Sequence, residues 1–131
     1  MTQLVWVLFW LQLYAPFYYT VSFPYSIESR AFNTQGEIGG RDTWCDATTP
    51  PDCKPHIYID IDAINQRADW GAWDKTVIAA CLIAHEWAHI DTKSADEIIP
   101  LFNEYICLDT MPWAPESAKD FVRQRLYRAM H

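Results

Sequence analysis

The sequence predicts a small α+β domain in which a short antiparallel or mixed sheet packs against helices. Three stretches of the chain indicate this fold class. Residues 56–62 alternate apolar and polar side chains with a period of two, which is typical of a half-buried strand. Residues 76–90 are apolar almost all round, as expected of a helix inside a core. Beyond Pro115, apolar residues recur at helical spacing and predict a C-terminal amphipathic helix.

The segments between these elements contain boundary signals. Residues 33–41 hold three of the four glycines, which predicts a loop or hairpin. Residues 63–72 are expected to form a short helix or a loop, and Asp74 is the expected N-cap of a long helix that ends near residue 91. Residues 94–97 have the form of a capping box. Pro100 is expected to break or kink the helix that begins there, so that a cleaner helix spans residues 100–109.

Two histidines and a glutamate in the buried helix indicate a metal site. His85 and His89 are four residues apart, so both imidazoles lie on one helix face and can reach one metal ion. Glu86 is rotated by about 100° from His85, close enough to contact a water molecule on the metal. This pattern is typical of a catalytic zinc site. Burying the three side chains without partners would cost several kcal/mol, which a bound cation would offset.

The length and charge of the chain limit its architecture and its partners. With 131 residues, it is long enough for one domain with a modest core. The formal net charge of −7 argues against nucleic acid as a partner, because no basic cluster is available to contact phosphates. Three arginines near the C-terminus are expected to form the solvated face of the last helix: Arg123, Arg125 and Arg128.

Residues 1–27 contain no charged side chain, and three interpretations of this apolar N-terminal segment stay open. The first is a secretory signal. The second is a membrane span, for which the apolar run of residues 4–21 is only just long enough. The third is a set of buried strands, since residues 17–23 are rich in β-forming side chains. We favour a targeting or anchoring segment, followed by one domain over residues 28–131.

A catalytic zinc usually takes a third protein ligand, and five carboxylates downstream of the motif are available: Asp91, Asp96, Glu97, Glu104 and Asp109. In its HExxH pattern and in the later Asn103-Glu104 pair, the chain resembles the gluzincin metallopeptidases. The resemblance implies a zincin-like domain in which a glutamate helix follows the HExxH active-site helix and supplies Glu104 as the third ligand. It further implies Asp109 as a hydrogen-bond partner of a ligand histidine. It also implies an edge strand that aligns an extended substrate beside the cleft, formed by Ile57, Tyr58 and Ile59.

Four cysteines allow three disulfide pairings. Cys45 and Cys53 flank a turn-rich loop that a bridge would close. Cys81 lies one helical turn before the first motif histidine, and Cys107 lies nearly one turn after Glu104. If that histidine and Glu104 share a metal, as the resemblance implies, Cys81 and Cys107 face each other. The alternative is that both are reduced core residues. Two bridges would indicate an oxidising compartment.

The leading hypothesis is a zinc-dependent peptidase with one zinc per chain and a peptide or protein substrate. Zinc held by His85, His89 and Glu104 would polarise the scissile carbonyl, and Glu86 would act as the general base. The alternative is a non-catalytic interaction domain that zinc stabilises, with or without membrane association. A third hypothesis is a membrane-associated interaction domain with an accidental motif. We expect an extracytoplasmic or membrane-anchored location.

Overall fold

The computed structural model describes residues 2–32, 39–45 and 48–131 of the chain. Over these residues the protein has a mixed α+β fold with six helices and a three-stranded sheet. In chain order the elements are α1 (Leu4–Tyr14), α2 (Pro16–Ser22), β1 (Ser26–Ser29), β2 (Gly40–Thr43), β3 (His56–Ile59), α3 (Ile61–Asn65), α4 (Ala72–Thr92), α5 (Ile98–Thr110) and α6 (Glu116–Met130). The predicted α+β class is confirmed.

Helix α4 is the centre of the molecule. Its 21 residues include an unbroken buried stretch, residues 76–90. Helices α1, α2 and α5 and strands β2 and β3 all pack against it, which explains why its sequence is apolar all round. The helix begins directly after its N-cap, Gly71, three residues earlier than the predicted cap Asp74 implies. The carboxylate of Asp74 instead accepts a hydrogen bond from the backbone N–H of Gly71 (3.3 Å).

The sheet is mixed, and its strand order is β1-β3-β2. Strand β1 pairs with β3 in parallel, whereas β2 pairs with β3 antiparallel. Strand β3 is therefore central, and the prediction that Ile57, Tyr58 and Ile59 form an edge strand is wrong. The outer strand next to α4 is β2, which comes from the glycine-containing stretch predicted as a loop or hairpin. The rest of that stretch, residues 33–38, lies outside the described residues.

Most of the apolar N-terminal segment forms the two helices α1 and α2. Val7 and Leu11 of α1 are fully buried, and α1 and α2 both pack against α4. The prediction of strands over residues 17–23 is wrong, because α2 begins at Pro16, whose fixed φ suits a first helical turn. Tyr18 of α2 donates a hydrogen bond to the Asn103 side chain of α5 (2.9 Å). Within the described residues, no helix has both the length and the apolar character needed to cross a membrane.

Both predicted disulfides are present, Cys45–Cys53 and Cys81–Cys107. The second joins α4 to α5, and its Cα atoms are 5.4 Å apart. The expected break at Pro100 does not occur. Pro100 is the third residue of α5, where the missing N–H interrupts no helical hydrogen bond. The two bridges are consistent with an extracytoplasmic location.

Helix α6 is the predicted amphipathic C-terminal helix. It begins directly after Pro115 and packs against α5. Ala118 and Val122 are its buried residues, and they are four apart, so they lie on one face. The helix therefore covers the outer side of α5, which lies beside the histidine motif of α4.

Candidate metal centre

His85 and His89 meet at one point, as their spacing predicts. Both side chains are about 95 % buried, and their Nε2 atoms are 3.2 Å apart. The other nitrogen of each ring faces away from this point. Nδ1 of His85 is 2.8 Å from Oε1 of Glu104, and Nδ1 of His89 is 2.8 Å from the backbone carbonyl of Ser94.

These outer partners assign the tautomers of both histidines. A carboxylate and a carbonyl can only accept hydrogen bonds, so the Nδ1 atoms of His85 and His89 carry the protons and donate them. In the neutral rings, each Nε2 then presents a lone pair to the shared point. This is the arrangement in which metal-ligating histidines are held by their surroundings.

A residue with a left-handed backbone conformation ends α4 and positions the Ser94 carbonyl, the partner of the His89 ring. Lys93 has φ 49°, which ends the helix and turns the chain back. The Ser94 N–H then donates to the His89 carbonyl (3.3 Å), while the Ser94 carbonyl accepts from the His89 ring. The reversal is short, so α5 starts within a few residues of the histidines.

Glu97, the residue before α5, brings its carboxylate to the same point. Its Oε2 lies 3.0 Å from Nε2 of His85, and its Oε1 lies 3.1 Å from Nε2 of His89. The Oε2 atom is buried, and while the His85 ring is neutral it receives no hydrogen bond among the described residues. If both rings are neutral, their facing nitrogens have no proton to donate, so two imidazole nitrogens and a carboxylate converge with no hydrogen-bond donor between them. Such a set requires a cation or an extra proton.

The spacing of these potential ligand atoms fits a zinc ion. Zinc bonds to histidine nitrogen and carboxylate oxygen of about 2.0–2.2 Å, in tetrahedral geometry, separate neighbouring ligand atoms by roughly 3.3–3.6 Å. The observed separations of 3.0–3.2 Å are only slightly shorter. Two imidazoles and one carboxylate are also a ligand set found in catalytic zinc sites, where a fourth position is open.

The structure corrects the expected role of Glu104. Its carboxylate contacts the Nδ1 side of the His85 ring, opposite to the Nε2 atom that faces the shared point. The reason is the antiparallel packing of α4 and α5. The first residues after the turn meet His89, and residues two turns further along meet His85. Glu97, which the sequence analysis considered only as one of five carboxylates, therefore reaches the shared point first.

The expected contact of Asp109 with a ligand histidine is also contradicted. Its exposed carboxylate lies 3.5 Å from Nζ of Lys119 on α6 instead. Asp109 is five residues beyond Glu104, at a different angle around α5, so the two carboxylates face different neighbours. Glu104 holds the position that the resemblance implied for Asp109.

The electrostatics of the cluster favour a positive charge at the shared point. Burial lowers the pKa of His85, but hydrogen bonds with Glu104 and Glu97 outweigh it and raise this pKa to about 10. Burial likewise lowers the pKa of His89, and a hydrogen bond with Glu97 more than offsets it. The hydrogen bonds from both histidines hold the pKa of Glu97 well below its usual range.

Glu86 lies beside the cluster and faces strand β2. Its carboxylate, a nitrogen of His89 and the carboxylate of Asp42 all lie within 4.8 Å of one another. Burial and then a hydrogen bond with Asp42 raise the pKa of Glu86 to about 9. Gly40 permits this approach, because a Cβ atom there would lie 2.8 Å from Cγ of Glu86.

An open cavity of about 360 Å³ lies over these groups, a volume typical of ligand sites. Strand β2 forms one wall, and residues of α4 and of the turn before α5 form the others. The residues that line it are Gly40, Arg41, Asp42, Trp44, Glu86, His89, Ala95 and Glu97.

The sequence analysis missed Asp42, Gly40 and Ser94 in this site. Asp42 and Gly40 become relevant only through the pairing of β2 with β3, and Ser94 acts through its backbone. Comparison with known proteins found no family model, curated protein or solved structure that matches the chain.

Proposed function

We propose that the protein is a zinc-dependent peptidase that holds one zinc ion per chain. The observation that carries this proposal is the convergence of three acceptor groups on one point. They are the Nε2 atoms of His85 and His89 and the carboxylate of Glu97, all 3.0–3.2 Å apart, with Glu86 beside them. A purely structural site has no need of a buried carboxyl group next to an open cavity.

His85, His89 and Glu97 would hold the ion, and Glu104 and the Ser94 carbonyl would fix the two imidazole rings. When bound, zinc supplies a Lewis acid that polarises a carbonyl and lowers the pKa of a coordinated water toward 7. The same charge would lower the pKa of the nearby Glu86 from about 9 toward neutrality. A carboxylate with a pKa near the working pH is an effective general base.

Glu86 is the residue that moves protons in this proposal. Its carboxylate accepts a proton from the attacking water and then donates it to the nitrogen of the leaving amine. Asp42 and Gly40 act on Glu86 rather than on the substrate. Gly40 leaves room for the side chain against β2, and Asp42 shares a hydrogen bond that fixes its orientation.

An extended peptide is the substrate that the cavity wall fits. Strand β2 pairs with β3 on one side, and among the described residues no strand pairs with its other side. Its free backbone N–H and C=O groups can therefore align a peptide by strand addition beside Glu86. We therefore assign substrate pairing to β2 and not to the central strand β3, which the sequence predicted as the edge strand. The two disulfides favour an extracytoplasmic substrate.

Metal analysis and one variant test the proposal. Protein purified without chelator should contain about one zinc per chain and should cleave a library of fluorescence-quenched peptides. Glu86→Gln should abolish cleavage and retain zinc, whereas Glu116→Gln, an exposed control on α6, should change neither. Zinc without cleavage in the unaltered protein would favour the non-catalytic zinc-stabilised domain. Protein without metal affinity would refute both.

A further inference from the structure

The outward face of α1 is apolar, although it is exposed. Val5, Trp6, Phe9 and Leu13 are 50–63 % exposed, whereas Val7 and Leu11 on the inner side are fully buried. At 100° per residue, the four exposed side chains lie within an arc of about 100°. Gln12 is the polar residue next to this arc. Helix α1 therefore lacks the polar outer face that a surface helix of a water-soluble domain normally has.

Two further exposed tryptophans extend this surface beyond α1. Trp73 at the start of α4 is 61 % exposed, and Trp113 between α5 and α6 is 67 % exposed. Their rings lie 5.0 Å and 5.9 Å from the ring of Trp10, measured between centroids. Trp10 itself is almost buried, so it connects the outer rings to the core. We call the six exposed side chains the apolar face: Val5, Trp6, Phe9, Leu13, Trp73 and Trp113.

The chemistry of the apolar face selects one kind of partner. Residues 1–27 contain no charged side chain, although the chain as a whole has a net charge of −7. A protein partner would be expected to meet a polar rim with hydrogen-bonding groups. The boundary between lipid headgroups and acyl chains has no such requirement, and tryptophan and other aromatic rings are enriched there.

We propose that the apolar face docks the protein on the surface of a lipid bilayer, with α1 lying in the plane of the interface. Helix α1 has 11 residues and is about 16 Å long, roughly half of a hydrocarbon core, so it does not span. The net negative charge excludes attraction to anionic lipid as the driving force. The partner is therefore a zwitterionic bilayer, bound through apolar burial.

The position of α1 on α4 sets the orientation of the docked protein. The Thr2 hydroxyl, just before α1, is 3.5 Å from the hydroxyl of Thr76 on α4. Thr76 is nine residues before His85, which places it about 180° away around the helix. The apolar face and the metal centre therefore lie on opposite sides of α4. Docking leaves the cavity open to the aqueous phase.

Co-sedimentation of the full chain with phosphatidylcholine vesicles tests this proposal. The protein should bind, and binding should persist from about 0.05 to 0.5 M salt, since screening does not weaken apolar burial. Replacing Trp6, Phe9 and Leu13 by serine should lower the partition coefficient at least about tenfold, because these three large side chains supply much of the apolar area that docking would bury. A matched control replaces three exposed apolar residues of α6 by serine, Phe121, Tyr127 and Met130, and should bind as the unaltered protein does.

Several outcomes would overturn the proposal. They are absence of vesicle binding, binding that salt abolishes, or an equal loss in the α6 control. A lipid-free dimer that the α1 substitutions dissociate would assign the face to a second copy of the chain instead. Circular dichroism verifies that each variant is folded. If the triple variant is unfolded, Phe9→Ser alone is measured, and unchanged binding of that variant would also contradict the proposal.

Discussion

The two glutamates around the histidines should affect zinc affinity to different extents. Glu97 places a carboxylate oxygen within 3.1 Å of each Nε2 atom. Glu97→Ala therefore removes one of the three proposed zinc ligands and the negative charge at the shared point. Glu104 contacts only Nδ1 of His85 (2.8 Å), so Glu104→Gln keeps an acceptor and loses only its charge. Loss of an outer partner typically costs 10–100-fold in metal affinity, or about 1.4–2.7 kcal/mol. Glu97→Ala should exceed about 100-fold.

Competition with a chromogenic zinc chelator near neutral pH measures both affinities. Glu116→Gln, on the exposed side of α6, serves as the control for a change of net charge alone. Circular dichroism of the zinc-free variants verifies that each is folded. A larger loss of affinity for Glu104→Gln than for Glu97→Ala would refute the reasoning and return Glu104 to the ligand set.

Three further predictions concern Gly40, the pH dependence of stability without metal, and the two disulfides. Gly40→Ala should impair kcat and retain zinc, because the added Cβ would contact Glu86; Gly39→Ala, which meets nothing within 4 Å, is the matched control. In chelator, the unfolding temperature should fall as pH rises from 6.5 to 9. The folded-state pKa values of His85 and Glu86 are raised to about 10 and about 9, so the folded protein binds more protons than the unfolded chain in this window. A flat profile would contradict this. Replacing Cys81 and Cys107 by alanine should cost about 3.5 kcal/mol of unfolding free energy, against about 2.5 for the shorter Cys45–Cys53 loop, as denaturant titration would show. The reverse order would contradict the loop-length argument.

Local features of the sequence predicted the parts of the site that lie on one helix. The spacing of His85 and His89 is sufficient to predict that their rings lie side by side, because residues four apart on a helix share a face wherever the helix packs. The apolar stretch around them likewise predicts burial. The Cys81–Cys107 bridge between α4 and α5 was predicted on the condition that Glu104 and His85 lie close together. The bridge is present, and Glu104 does contact His85, although on the Nδ1 side of the ring.

Local propensity failed where packing decides between alternatives. Residues 17–23 contain β-forming side chains, yet residues 17–22 belong to the short helix α2, which packs against α4. The helix buries Tyr18 and supplies its hydroxyl to Asn103, and this tertiary gain overrides a propensity of at most about 1 kcal/mol. Pro16 at the first helical position was the local signal for a helix.

The sequence by itself determined that this is an α+β chain with two histidines and a buried glutamate poised on one helix, and with cysteines that can pair. Only the tertiary structure decided which carboxylate faces the two Nε2 atoms. Glu97 and Glu104 both follow the motif, and the side of the His85 ring that each reaches depends on the turn at Lys93 and on the antiparallel packing of α5. The same holds for β2, whose place at the edge beside Glu86 is a property of strand order. Period-two alternation identifies a strand, but it carries no information about which neighbours that strand will have.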